Sequence, residues 1–210
     1  MITLDYFGMK YGDRVQIKGY GRMELAKDFN NLGFTKGVEI GTEKGKYAMI
    51  LCEANPNLHL WCVDPWICYD ENKGYKDVQG QDIHNSNLKK AQRRLKKYNC
   101  TLVQKFSMDA VKDFEDESLD FVYIDGNHRL EYVISDLVEW TKKVKVGGVV
   151  AGHDYIKFKS QHYSHVPYAL NAYFRSYPVE KWYLLDQKSE NFTKEENNYL
   201  DRIRSWFFIK

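Results

Sequence analysis

Short apolar runs alternate along the chain with stretches whose apolar positions recur every three to four residues, a pattern that predicts successive β-α units. The first run is Gly37-Val38-Glu39-Ile40-Gly41, followed by a helical stretch from Tyr47 to Ala54. Leu58-His59-Leu60-Trp61-Cys62-Val63 reads as a second strand that ends on Asp64 and a proline. After an irregular polar stretch from Tyr69 to Gln81, the spacing predicts a helix from about Asn87 to Tyr98. Leu88, Ala91, Leu95 and Tyr98 share one of its faces, and Lys89, Lys90, Arg93, Arg94, Lys96 and Lys97 the other. A third strand, Thr101 to Phe106, leads into Ser107-Met108-Asp109-Ala110. The fourth, Leu119 to Asp125, is nearly continuous in apolar residues, as expected of a strand covered on both faces. Leu130, Val133, Ile134, Leu137 and Trp140 then fall at helical spacing. Gly147-Gly148 predicts a turn into a fifth strand, Val149 to Gly152, which stops at His153-Asp154-Tyr155. Val166, Ala169, Leu170, Tyr173 and Phe174 mark a last helix, and Trp182 to Leu185 and Ser205 to Ile209 read as final strands.

Five such units in succession imply one doubly wound α/β domain, with a parallel sheet and helices on both faces. A length of 210 residues suits one such core. The chain divides into an N-terminal helical extension over 1–35, a ligand-binding core over 36–155 and a C-terminal helix with strands over 156–210. Hydrophobic residues at 43% and charged residues at 29% are ordinary for a globular protein, and a net charge of +2 argues against a dedicated nucleic-acid binder. The 16 tyrosines suggest an aromatic core and pocket wall. Met1 to Val15 has no apolar h-region, and no apolar run approaches the ~20 residues that span a bilayer. Cys52, Cys62, Cys68 and Cys100 show no C-x-x-C spacing. Reduced thiols packed in the core of a cytoplasmic protein are therefore expected, without disulfide or zinc site.

In open α/β sheets, ligands bind beyond the carboxyl ends of the strands, where strand order reverses. The polar candidates sit at those ends: Glu39 to Gly45, Asp64, Met108-Asp109, Asp125 to His128, and His153-Asp154. Packing alone does not call for a polar cluster at five consecutive strand ends. Gly41 and Gly45 bracket a strand-to-helix turn, where glycine tolerates positive φ and lets a ligand approach the backbone. Amides exposed at a helix start suit a carboxylate, and an acid placed as Asp64 is suits ribose hydroxyls. His153 and His128 qualify as general bases, the alternative being neutral rings satisfied by backbone groups.

The run 37–45 resembles motif I of class I S-adenosylmethionine-dependent methyltransferases. Phe-Val-Tyr-Ile-Asp-Gly-Asn-His (121–128) and Gly-Gly-Val-Val-Ala-Gly-His-Asp-Tyr (147–155) are similar to segments of a bacterial subgroup, that of catechol and macrocin O-methyltransferases and cephalosporin-hydroxylase-type proteins. The resemblance covers about Gly37 to Tyr155; Glu43 stands where motif I usually has its middle glycine, and the tighter glycine triplet of nicotinamide enzymes is missing. The resemblance implies a Rossmann-like sheet of seven strands with an antiparallel last strand. It implies that Glu39, Gly41, Thr42 and Gly45 hold the methionine end of the cofactor, Asp64 the ribose, and Met108-Asp109 the adenine border. Asp125 would face the cofactor and, with His153 and Asp154, form a metal site for Mg²⁺ or Mn²⁺; a histidine there departs from the carboxylate or amide of metal-dependent relatives and sits poorly with magnesium. His153, Asp125 and His128 are the implied catalytic groups.

The resemblance implies O-methylation of a hydroxylated small molecule, such as a sugar, polyketide or phenol. Trp66 to His84, with Tyr69 and Tyr75, is expected to form a lid, joined by Lys157, Lys159, His162 and His165 around the acceptor. A non-catalytic adenosylmethionine- or nucleotide-binding module is the main alternative. A metal-dependent phosphoesterase is another, suggested by Asp-Gly-Asn-His and Gly-His-Asp, but the upstream Asp-x-His pair it needs at a strand end is missing, Asp82-Ile83-His84 lying in an irregular stretch.

Overall fold

The computed structural model describes residues 12–68, 80–156, 164–186 and 204–210. Its strands are β1 (Asp13–Lys18), β2 (Lys36–Ile40), β3 (His59–Val63), β4 (Cys100–Val103), β5 (Leu119–Ile124), β6 (Val144–Tyr155), β7 (Lys181–Asp186) and β8 (Arg204–Ile209). The helices are α1 (Arg22–Asn31), α2 (Lys46–Ala54), α3 (Gln81–Leu95), α4 (Ser107–Ala110), α5 (Leu130–Lys143) and α6 (Val166–Ser176). The strands form one sheet in the order β1-β7-β8-β6-β5-β2-β3-β4. Only β8 runs antiparallel to its neighbours, β6 and β7. The chain builds outward from β2 through β3 to β4, then returns to β5 on the other side of β2. The switch point thus lies between β2 and β5.

Each face of the sheet has its own core. Val38, Ile40, Val122, Ile124 and Val150 point to the side covered by α5 and α6, where Leu137, Trp140 and Leu170 pack. Leu60, Phe121, Tyr123 and Ala151 point to the other, covered by Leu25 and Phe29 of α1 and Leu51 of α2. All six residues of β5 are buried, which is why its sequence shows no alternation.

Several expectations need correction. The sheet has eight strands rather than seven, because part of the supposed helical extension is the edge strand β1, paired in parallel with β7. β1 is almost wholly exposed, so burial left no apolar alternation to mark it. α3 begins at Gln81 rather than Asn87, because its first turns are polar, and it ends at Leu95, leaving Tyr98 outside. β4 stops at Val103, short of Phe106. β6 starts at Val144 and runs through Gly147 and Gly148, since Gly147 donates to the Lys210 carbonyl (2.8 Å) and Lys210 to that of Gly148 (2.9 Å). Tyr69, Tyr75, Lys157, Lys159 and His162 lie outside the described residues. All four cysteines are free thiols; Cys52 and Cys62 are buried, while Cys68 and Cys100 are only half-buried. No helix of the described residues is long and apolar enough to cross a membrane.

Candidate active site

The turn after β2 is fixed by its neighbours on both sides. Gly41 donates to the Val63 carbonyl (2.8 Å), and Asp125 donates to that of Ile40 (2.8 Å). Gly41 has φ +87, and a Cβ there would lie 2.1 Å from the Asp125 carbonyl oxygen, so the position requires glycine. Glu43 takes φ +47, the left-handed conformation that the glycine usual in motif I would adopt freely. Three contacts hold it there: its N–H donates to Asp64 Oδ2 (2.8 Å), its carbonyl accepts from Trp66 Nε1 (2.8 Å), and its carboxylate accepts from Asn87 Nδ2 (3.3 Å). Asp64 Oδ1 also accepts from the Trp66 N–H (2.8 Å). The carboxylate thereby ties the turn after β2 to the loop after β3, and each oxygen retains a lone pair for a ligand.

Glu39, the penultimate residue of β2, is buried, and Thr42 is buried in the turn that follows. Glu39 and Thr42 contact one another, but neither Glu39 Oε2 nor Thr42 Oγ1 makes a well-formed hydrogen bond. Burial pushes the Glu39 pKa up to about 8, against the Thr42 contact.

Strands β5 and β6 contribute the second half of the site. His153 and Asp154 fall where the pairing of β6 with β8 shifts register between Gly152 and Tyr155, and Asp154 has φ +59. In a regular strand their side chains would point to opposite faces; the bulge brings His153 Nδ1 to 3.3 Å from Asp154 Oδ2. Ser164 Oγ donates to the strained Asp154 carbonyl (2.8 Å). His128, from the loop after β5, places Nε2 2.9 Å from Asp154 Oδ2 and 3.6 Å from Asp125 Oδ1. Burial disfavours the charged ring, but the two carboxylates outweigh it and push the His128 pKa up to about 10. Burial likewise raises Asp125, whereas the two histidines overcome the burial of Asp154 and hold it well below the usual carboxylate range.

The fold brings His128 as well as the expected His153 up to the two carboxylates. Asp125, His128 and Asp154 offer ligand atoms within 4.8 Å of one another. His153 lies behind them, 8% exposed against 33% for His128, with Nδ1 3.9 Å from Asp125 Oδ1. Of the two positions expected at the adenine border, Met108 packs on the core, while Asp109 is exposed and paired with Lys112 (2.9 Å).

Two buried charged residues of this region escaped the sequence reading. Arg22 lies on the buried stripe of α1 with Leu25, Ala26 and Phe29. Asp136 lies on that of α5 with Val133, Leu137 and Trp140, where it accepts from Ser107 Oγ. The available signal was a charge at a position the helical period reserves for an apolar side chain.

The methyltransferase domain family matches residues 38–155, more than half of the chain. The chain belongs to this family. A protein of Sinorhizobium fredii is 29% identical over 121 residues, and this chain spans 13% of that protein's length. Among solved structures, a putative caffeoyl-CoA O-methyltransferase from Staphylococcus aureus superposes with a TM-score of 0.60 at 12% identity, covering 98% of this chain and 88% of that one. A Bacillus cereus O-methyltransferase in complex with S-adenosylhomocysteine gives 0.56 at 15% identity, covering 90% and 80%. A Streptomyces achromogenes O-methyltransferase of tomaymycin synthesis, in complex with S-adenosylmethionine, gives 0.57 at 13% identity, covering 90% and 79%. The Rossmann-like methyltransferase fold expected from sequence is therefore the fold of the chain, with an extra edge strand.

Proposed function

We propose that the chain transfers the methyl group of S-adenosylmethionine to a hydroxyl of a small molecule, with a divalent cation held by Asp125, His128 and Asp154. One observation carries this reading. Glu39 Oε2, Thr42 Oγ1, Asn127 Nδ2 and His153 Nε2 are buried without a well-formed hydrogen bond, and all lie at the carboxyl ends of β2, β5 and β6. Buried polar atoms are normally paired, and such a concentration at the switch point marks a polar ligand site. Glu39, Thr42 and the Gly41 to Gly45 turn face the methionine end, Asp64 the ribose, and Ser107 to Asp109 the base.

The residues fit a cation on their own chemistry. His128 Nε2 lies 2.9 Å from Asp154 Oδ2 and 3.6 Å from Asp125 Oδ1, so one ring nitrogen and two carboxylate oxygens converge on one point. Two carboxylate oxygens with an imidazole suit Mn²⁺ or a similar transition metal better than Mg²⁺. When bound, such an ion lowers the pKa of a hydroxyl it contacts and fixes its orientation. His128 must be neutral to serve as a ligand, so loading the site displaces a proton. Methyl transfer breaks a sulfur–carbon bond and forms an oxygen–carbon bond in line; the chain's task is to align the acceptor and remove its proton. His153, held through Nδ1 by Asp154, orients that carboxylate.

The test is a methyl-transfer assay on a panel of hydroxylated acceptors, with calorimetry of S-adenosylhomocysteine. Chelation is expected to abolish turnover and Mn²⁺ or Mg²⁺ to restore it. Alanine at His128 or His153 is expected to damage turnover while leaving cofactor affinity nearly intact. Activity that survives complete chelation removes the metal and leaves His153 as the base; a protein that binds NAD in preference to S-adenosylhomocysteine overturns the assignment.

A further inference from the structure

The layer between α2 and the outer strands of the sheet gathers three of the chain's four thiols. The register of β4 on β3 sets Cys100 beside Leu60, so Cys62 lies two residues further along the same face of the neighbouring strand. Cys52, in the last turn of α2, packs into the same core as Leu60 and Cys62 from the helix side. Cys100 is in hydrogen-bond contact with both other thiols, and its own S–H donates to the Leu95 carbonyl (3.4 Å). Cys52 and Cys62 are buried, while Cys100 is only half-buried.

These contacts make the three thiols unequal. Accepting from Cys52, and then from Cys62, lowers the pKa of Cys100, while donation to Cys100 and burial raise the other two. The thiolate is the form that an oxidant attacks, so Cys100 reacts first. A cleft of about 340 Å³ gives a small oxidant its way in, lined by Cys52, Leu58, Lys97 and the two residues before Cys100, Tyr98 and Asn99. It lies at the amino ends of β3 and β4, the edge of the sheet opposite the candidate active site. Among the described residues only Asp125, His128 and Asp154 bring ligand atoms within 4.8 Å of one another, so the three sulfurs do not form a metal cradle. Their chemistry is therefore pairwise. Cys62 is a poor partner, because strands ~4.8 Å apart and a two-residue offset separate its α-carbon from that of Cys100 by about 8 Å, beyond the ~7 Å a disulfide spans. Cys52 meets Cys100 across the helix–sheet interface, where no strand ladder fixes the separation.

We propose that Cys52 and Cys100 are a peroxide-sensitive thiol pair that joins α2 to β4 as a reversible disulfide. The Cys100 thiolate attacks one oxygen of hydrogen peroxide, the O–O bond breaks, and Cys100 becomes a sulfenic acid while the released hydroxide takes up the Cys100 proton as water. The Cys52 sulfur then attacks the sulfenic sulfur, the S–O bond breaks, and the oxygen leaves with the Cys52 proton as a second water. Two thiols are oxidised and one peroxide is reduced. The bond fixes the last turn of α2, the end of the helix away from the Gly41 to Gly45 turn.

Non-reducing peptide mapping after brief exposure of the reduced chain to hydrogen peroxide tests this. Wild type is expected to lose two of its four free thiols, to show Cys52 joined to Cys100, and to recover both thiols with dithiothreitol. Cys52→Ser is expected to stop at the sulfenic acid, trapped on Cys100 by dimedone, whereas Cys62→Ala still forms the bond. The purified linked form is expected to melt at a higher Tm than the reduced one, because the crosslink closes a loop of the unfolded chain. Wild type that keeps all four thiols under an exposure that fully oxidises free cysteine overturns the proposal. So does a map that joins Cys100 to Cys62 or to Cys68. A linked form with a lower Tm overturns it as well, since such a bond forms only in opened molecules. If a variant does not fold, the wild-type map and the two melting curves still decide.

Discussion

Asp64 carries two tasks. Its oxygens accept from the amides of Glu43 and Trp66, so it holds together the two loops that would enclose a nucleoside. The same contact helps Glu43 keep φ +47 in place of a glycine, a conformation that costs a side-chain-bearing residue on the order of 1–2 kcal/mol. Asp64→Ala is therefore expected to weaken S-adenosylhomocysteine binding by one to two orders of magnitude, about 1.5–3 kcal/mol for a charge-assisted hydrogen bond. Calorimetry on a folded variant checks this, and unchanged affinity removes Asp64 from the site. Sequence alone marks Asp64 as a strand-end acid. Its crosslink to Glu43 spans two loops and could not be read from either.

Among the elements, α5 (Leu130–Lys143) shows how a functional loop is anchored from behind. Its buried stripe contains Asp136, and Ser107, at the start of α4, donates to Asp136 while accepting from Trp140 Nε1 (2.8 Å). Burial pushes the Asp136 pKa up to about 7, against the Ser107 contact. The folded state therefore holds a proton that the unfolded chain releases near pH 4, so this group's contribution is present below that pH and is lost as pH rises to about 7. Wild type is expected to lose stability on the order of a few kcal/mol between about pH 4 and 7 from this group. Asp136→Asn keeps an acceptor for Ser107 and should flatten that slope. Urea unfolding of both proteins across the range decides, and parallel slopes would assign the pH dependence elsewhere. The α5 periodicity was legible at once because most of its stripe is apolar. The acid within it gained meaning only when α4 was seen to pack against it.

At the scale of the molecule, the sheet order places Glu39, Asp64 and Asp125 around one crevice, since β2 lies between β3 and β5. A ligand that bridges these strand ends binds the folded state alone. At 100 times its Kd it should add about 2.7 kcal/mol of stability. For a chain of this size, S-adenosylhomocysteine is then expected to raise Tm by roughly 5–10 °C, with NAD giving no comparable shift. Differential scanning calorimetry tests this, and an equal response to both ligands would count against a site selective for the sulfonium cofactor.

Local periodicity alone determined the β-α alternation, the buried character of β5, and the polar residues at five strand ends, because these follow from each segment's own burial pattern. It did not determine β1 or the beginning of α3, whose residues are largely polar and gain their structure from partners distant in sequence. Tertiary structure also brought His128 to Asp125 and Asp154. Chain adjacency favours His153, but the bulge after Gly152 turns that ring inward while the loop after β5 swings His128 to within 2.9 Å of Asp154. Arg22 shows the same limit. A charge in an apolar stripe signals that something must meet it, but only the packing of α1 over α2 and β5 shows where.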